Sequence, residues 1–317
     1  MDETELIERY FRHVGSPRAD VELGIGDDAA LLRVPDGVEL VLTTDALVEH
    51  AHFLPGAAAR SLGHRALAVN LSDVAAMGAQ PAWALLALNM PSVDERWLRE
   101  FASGFSALAA QHNVALVGGN LARGPLSITV ELAGFVPRGG ALRRDGARPG
   151  DALYVSGTLG DAAQGLVLLG RADADADAQY LRGRLEYPSA RVALGESLRG
   201  VASACIDVSD GLYADARRLL AASACGAELQ IGQLPLSQAL RRSVGAEAWQ
   251  MALKGGEDYE LCFTAAAHFA GRIDELARTC AVPVTRIGWV CQESGVTLKS
   301  GNSVIQFSTS GWDHFGE

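Results

Sequence analysis

Apolar positions in this chain switch repeatedly between the 3.6-residue spacing of helices and the two-residue alternation of strands. ETELIERYF groups Leu6, Ile7, Tyr10 and Phe11 on one side of an acidic helix expected over about 2–13. The polar loop ELGIGDDAA follows, and then VELVLTTDALV, whose β-branched and apolar residues read as a half-buried strand. A helix is expected over about 57–77, closed by Gly78 with Pro81 shortly behind. Next come a strand (83–90), a helix (94–111, preceded by Pro91 and Ser92), the short strand VALV and the longer strand SITVELAGFV. Between the last two, Gly118-Gly119-Asn120 predicts a tight turn, because both residue types tolerate positive φ at little cost.

The pattern breaks in FVPRGGALRRDGARPGD, where Gly, Pro and Arg accumulate, and a linker is expected near residue 140. A second α/β region opens with ALYVSG and the turn GTLGD leading into a helix. The run ADADADA (172–178) reads as a solvated loop or helix surface. Helices are expected at about 189–200 and 266–279, with strands at YELCFT, VTRIGWV and SVIQF. This is an α/β (α+β) chain of two domains, 1–140 and 141–317, in keeping with its length of 317 residues.

Composition narrows the function classes. Net charge is -11, and the basic side chains are almost all Arg, with only Lys254 and Lys299 as lysines, which argues against a nucleic-acid groove. The longest apolar run, AWALLALNM, falls far short of a membrane span. The acidic N-terminus lacks the basic start and apolar core of a signal peptide, so a cytoplasmic protein is expected. Five cysteines lie at 205, 225, 262, 280 and 291 with no CxxC pair, and buried reduced thiols are the expectation.

The chemistry concentrates in aspartates. Asp27 and Asp28 stand in a Gly-flanked loop, Asp45 follows two threonines on a strand, Asp73 sits in an otherwise apolar helix, and Asp207 and Asp210 bracket Ser209. An unpaired carboxylate among apolar neighbours is costly, so such residues are expected to face a charge partner or a metal. Asn70 and Asp73 are three apart on one helix face, a spacing that would let both point at a single ion. Oxygen-only donors suit Mg²⁺ rather than zinc. His50 and His52 alternate on one strand face without a third ligand nearby. No P-loop, no GxSxG elbow and no lysine before Lys254 is present, so neither a phosphate-cradling lysine nor a nucleophilic serine has support. GTLGD, opening a helix, offers backbone N–H groups to an anion or is a plain strand-to-helix turn.

GIGDDAA, TTDALVEHAHF, ALAVNLSDVAAMGA, GGNLARG, IDVSDGL and KGGEDYELCFT occur in the order and approximate spacing of thiamine-monophosphate kinases, and the chain resembles that family from its N-terminus to the terminal GWDHF. The resemblance implies the two-domain fold of aminoimidazole ribonucleotide synthetase. In that fold the N-terminal domain binds ATP and Mg²⁺ and pairs in a homodimer, and the C-terminal domain closes over the substrate. The implied activity is a kinase that moves phosphate directly from ATP to thiamine monophosphate, with several Mg²⁺ ions and no covalent nucleophile or general base. Carried over by position, the metal ligands are Asp28, Thr43, Thr44, Asp45, Asp73, Asn120, Asp207 and Asp210. ATP meets Gly119, Asn120, Arg144, Ser209 and His112, and the substrate meets His52, Glu257 or Asp258, and Trp312.

The chain departs from the family at several places. Asn120 stands where Asp is usual, Ala46 where Thr is, His50 where a small residue is common, His112 where Tyr is, and PSAR (188–191) where a PxPR-type segment is. Asn keeps a carbonyl oxygen but loses the charge that holds a metal. Two other readings stay open: another ATP-dependent enzyme of the same superfamily, and a nucleotide- or thiamine-phosphate-binding paralogue weakened by Asn120.

Overall fold

The computed structural model describes residues 2–171, 175–307 and 309. The chain divides into two compact units, Met1–Val74 with Ala79–Gly139, and Ala75–Gly78 with Gly140–Glu317.

The first unit opens with α1 (Glu3–Tyr10), started by a capping box in which Asp2 and Glu5 bond each other's backbone N–H. It ends sooner than the expected residue 13, because Gly15 must reach across to bridge Ala115. β1 (Val21–Leu23) and β2 (Leu31–Leu32) flank the GIGDDAA loop and are followed by β3 (Val38–Val48) and α2 (Ala59–Ala76). β4 (Gln80–Met90) begins before Pro81, earlier than expected, and the register slips just after the proline, where a missing donor costs least. α3 (Glu95–Gln111) is capped by Asp94, whose carboxylate accepts from the N–H groups of Arg96 and Trp97. β5 (Ala115–Arg123) and β6 (Ser127–Pro137) complete a four-stranded sheet of order β3-β6-β4-β5, in which only β4 and β5 run parallel.

One face of this sheet is mostly apolar, with Leu88, Ile128, Val130 and Leu132 fully buried, and carries Thr43 and Asp45 on its edge strand β3. The other face is covered at one end by Val21, Ala30 and Leu32, which pack with Trp83 and Phe135, and elsewhere leaves Leu40, Leu42 and Leu85 exposed.

The expected turn at Gly118-Gly119-Asn120 is not a turn. β5 runs straight through it, with a bulge: Ala84 pairs with Leu116 and Leu85 with Gly118, leaving Val117 as an extra residue. Gly119 has φ of 148°, and a Cβ there would lie 1.9 Å from the Leu86 carbonyl oxygen, so the glycine serves close approach of two strands.

The second unit holds β7 (Ala152–Ser156), α4 (Asp161–Val167), α5 (Ala176–Glu186), α6 (Val192–Ser197), β8 (Ala204–Val208), α7 (Leu212–Ala222), β9 (Gly226–Gln230), α8 (Gln238–Val244) and α9 (Ala248–Lys254). β10 (Glu260–Ala265), α10 (Ala270–Thr279), β11 (Val284–Cys291), β12 (Gly295–Ser300) and β13 (Ser303–Ile305) follow. Seven strands form one sheet of order β13-β12-β9-β11-β7-β10-β8, with Leu153, Val155, Ile206, Val208 and Cys262 in its core. The helix expected at 189–200 is only α6, and the one expected at 266–279 opens with a 3-10 turn at Ala267–Phe269. Within the Ala-Asp run, Asp175 caps α5 by accepting from Ala178 N–H, and residues 172–174 lie outside the described set. All five cysteines are free; Cys205, Cys225 and Cys262 are buried as expected, whereas Cys280 and Cys291 are only partly so. Among the described residues no helix is long and apolar enough to cross a membrane.

Candidate active site

Thr43, Thr44 and Asp45 are consecutive on edge strand β3, so they alternate between its faces. Thr43 faces α2 and donates to Asp73 Oδ2 at 2.5 Å. Asp45 is exposed and pairs in register with Val130, which points to the same helix-covered face. Thr44 pairs with Glu131 on the opposite face, and its hydroxyl donates to the Val130 carbonyl at 3.1 Å. Asn70 is fully buried; its Nδ2 donates to Ala66 O at 3.0 Å, inside its own helix, and its Oδ1 is buried without a hydrogen-bond partner among the described residues.

Asn120 lies on the other side of the sheet from Thr43 and Asp45. In register, Asn120, Ala87, Thr129 and Ala46 form one row, on the face opposite Leu86 and Val130. There Gly119, Asn120 and the GIGDDAA loop line a cleft of about 830 Å³ together with residues of α1. Arg12 holds the loop by donating to Ile25 O at 2.9 Å, and Asp27 accepts from Asp28 N–H at 2.8 Å. The first unit thus gathers its expected ligands into two groups, Thr43, Asp45 and Asp73 on one face and Asp28, Thr44 and Asn120 on the other, rather than into one cluster.

His52 Nδ1 accepts from Val48 N–H at 3.0 Å, which places the proton of the neutral ring on Nε2. Arg65 donates to the His52 carbonyl at 3.2 Å. His50 has φ of 71°, in the left-handed region, which accounts physically for a small residue being common there. His112 is the C-cap of α3, before the start of β5, so about 16 Å of strand separates that end from Asn120 and the two are not brought together. Burial, and then the charge of His64, keep the His112 pKa below its usual value.

In the second unit two distant segments are joined edge to edge. β8 and β10 pair Asp207 with Leu261, Tyr259 N–H donates to Val208 O at 2.9 Å, and Glu257 N–H donates to Ser209 O at 2.8 Å. IDVSDG and GGEDYE therefore form one surface. Glu257 and Tyr259, in the segment between α9 and β10, have positive φ, 70° and 52°, a concentration of backbone strain typical of functional loops. Asp207 is buried, while Ser209, Asp210 and Glu257 are partly exposed.

Sequence reasoning missed what holds this loop. Asp215, on the first turn of α7, accepts from Ser209 N–H at 3.1 Å and Asp210 N–H at 2.9 Å, and burial pushes its pKa up to about 6. Arg218 bonds Asp210 and also Asp215, the latter at 2.6 Å. The sequence signal available was a carboxylate among the apolar residues of GLYADARRLL, the kind of placement that singled out Asp73.

Asp258 is not placed to meet a substrate. It is 1% exposed and accepts from Gly160 N–H at 2.7 Å, with Ala162 N–H at 3.5 Å. The same contacts remove GTLGD as an anion site, since the chain supplies its own carboxylate to that turn. Next to it Glu260, fully buried, accepts from Ser156 Oγ at 2.6 Å and from Arg184 at 2.8 Å, and is gripped by both nitrogens of Arg191. The PSAR departure keeps its arginine for this internal pair. Arg144 is exposed, on the segment whose neighbouring Arg143 carbonyl accepts from Cys205 N–H. Trp312 lies outside the described residues.

The donors available are carboxylates, hydroxyls and an amide oxygen, a hard set suited to a small divalent cation. Among the described residues no three of Asp, Glu, His or Cys converge to form a ready-made cage.

Residues 26–136 match the family model for the AIR synthase related protein, N-terminal domain, and residues 148–301 that for the C-terminal domain. The thiamine-monophosphate kinase of Salmonella typhimurium is 46% identical over 318 residues, covering 99% of this chain and 98% of its own. The crystal structure of thiamine-monophosphate kinase from Stenotrophomonas maltophilia superimposes with a TM-score of 0.86 at 48% identity, covering 90% of this chain and 93% of that one. A structure of AaThiL complexed with AMPPCP and TMP superimposes at 0.79 and 34% identity, covering 92% of each chain. On domain content, full-length identity and fold together, the chain belongs to the thiamine-monophosphate kinase family of AIR synthase related proteins.

Proposed function

We propose that this protein transfers the terminal phosphoryl group of ATP directly to thiamine monophosphate, forming thiamine diphosphate and ADP. The observation that carries the reading is the backbone bond between Ser209 and Glu257, 2.8 Å long. It sets the residue assigned to ATP beside the residue assigned to the phosphate acceptor, and in-line transfer requires donor and acceptor to be neighbours. The likeness to AaThiL, whose structure holds AMPPCP and TMP, supports the same pair of ligands.

The acceptor is a phosphate monoester with a second pKa of about 6, so near pH 7 it is already mostly dianionic and needs no general base. The difficulty is repulsion between two polyanions. A bound Mg²⁺ would supply positive charge to offset that repulsion. Asp28, Asp45, Asp73, Asp207 and Asp210 are the charged groups that would hold it, with Thr43, Thr44 and Asn120 adding neutral oxygens. Gly119 brings backbone close to the nucleotide, and Arg144 adds a positive group to its contacts. His52 and Glu257, rather than Asp258, meet the acceptor together with Trp312. ATP and metal fall mainly to residues 1–140 and the thiamine phosphate to residues 141–317.

A homodimer fits the uncovered outer face of the four-stranded sheet, where Leu40, Leu42 and Leu85 are exposed, Leu42 by 58%. Five free thiols fit the reducing cytoplasm.

The test is ADP release with and without thiamine monophosphate over a range of Mg²⁺. Release that depends on both supports the kinase; retained ligand binding without turnover at high Mg²⁺ would identify the weakened paralogue instead.

A further inference from the structure

Asp210, Asp215 and Arg218 form a triangle with unequal freedom. Asp215 is 1% exposed and spends one oxygen on the N–H groups of Ser209 and Asp210 and the other on Arg218. Asp210 and Arg218 are far more accessible, their side chains 25% and 43% exposed. Arg218 stands three residues after Asp215 on α7, so a single guanidinium nitrogen reaches both carboxylates. If Arg218 swings toward solvent, it can leave Asp210 and remain paired with Asp215, whose buried charge stays compensated.

We infer that Arg218 is a tethered cation that occupies Asp210 in the metal-free protein and is displaced when a divalent ion binds there, so that Arg218 sets how much metal the enzyme requires. This rests on the reading of Asp210 as a metal ligand. A guanidinium and a hard divalent cation compete for the same carboxylate lone pairs, and whatever holds the guanidinium on Asp210 is subtracted from the affinity for the ion. Because the pair is partly exposed, the competition is modest, on the order of fivefold in binding. The arrangement also keeps Asp210 from repelling Asp215 before metal arrives, since the two acidic side chains share one positive charge.

The experiment is a Mn²⁺ titration of the full chain with a nonhydrolysable ATP analogue present, followed through the EPR signal of free Mn²⁺. Asp210→Asn should weaken one class of bound Mn²⁺, and Arg218→Gln should tighten that class about fivefold. Arg218→Lys, with a compact ammonium that reaches only one carboxylate well, should tighten it less, and serves if the Gln variant does not fold. Weaker Mn²⁺ binding in Asp210→Asn with unchanged or weaker binding in both Arg218 variants overturns the inference and leaves the metal reading standing. No effect of Asp210→Asn overturns both.

Discussion

Thr43 Oγ1 donates to Asp73 Oδ2 at 2.5 Å, tying the edge strand of the first sheet to the helix that covers it. The bond orients a partly exposed carboxylate that has apolar neighbours along its own helix, Leu71 and Val74 among them, both fully buried. Asp73→Ala should therefore lower turnover by about a hundredfold or more, with the far-UV circular dichroism and melting temperature close to wild type. Full activity in that variant would remove Asp73 from the metal site.

Asn120→Asp restores the charge usual in the family on the outer face of the sheet. The Mg²⁺ concentration for half-maximal activity should fall several-fold, because a charged oxygen donor binds a hard cation more tightly than an amide does. An unchanged or raised requirement would mean that position 120 does not face the ion.

Glu257 and Asp258 are adjacent, yet opposite outcomes are expected. Asp258→Ala strips a buried partner from Gly160 N–H and should cost about 1–3 kcal/mol of stability in denaturant unfolding. Glu257→Gly relieves a left-handed backbone and should gain about 0.5–1 kcal/mol while raising KM for thiamine monophosphate. Equal losses of stability in the two variants would show that Glu257 also belongs to the frame.

Asp20 offers a pH test. Hydrogen bonding from Arg18, with a further bond from Trp83, outweighs burial and holds its carboxyl below the usual value. A depressed folded pKa means a contribution present in full above about pH 4 and lost as pH falls through the folded value. Asp20→Asn should be less stable by about 1–2 kcal/mol at pH 7, and the gap should close on acidification below about pH 4. Trp83 fluorescence reports the unfolding, and a gap that widened in acid would contradict the assignment.

Much of the first unit was legible because its elements are long and strongly patterned. Asp94 marks the start of α3 to the residue, and VELVLTTDALV coincides with β3. The helices α8 and α9 are seven residues each, too short for a 3.6-residue period to repeat, so they left no comparable mark, whereas α4, equally short, was marked by the GTLGD turn before it. Aspartate placement singled out Asp73, which accepts from the Thr43 hydroxyl, but it could not separate a ligand from a strut. Asp258 and Asp215 are spent on backbone N–H groups of loops distant or reversed in sequence, a use that depends on tertiary contacts no local pattern encodes. Gly118-Gly119-Asn120 misled for the opposite reason: the same residues serve turns and bulges alike.

The extra residue at Val117 has a consequence for how this position evolves. Counted by strict alternation from Leu116, Asn120 would look toward the helices; with one residue taken out of the count, it looks into the outer cleft instead. Substitution at 120 can exchange charge for amide and back again without touching that direction. Aim and chemistry are thus inherited separately, the first from the strand's parity and the second from the side chain, and a variant line that has lost the carboxylate keeps the vantage from which a single replacement restores it.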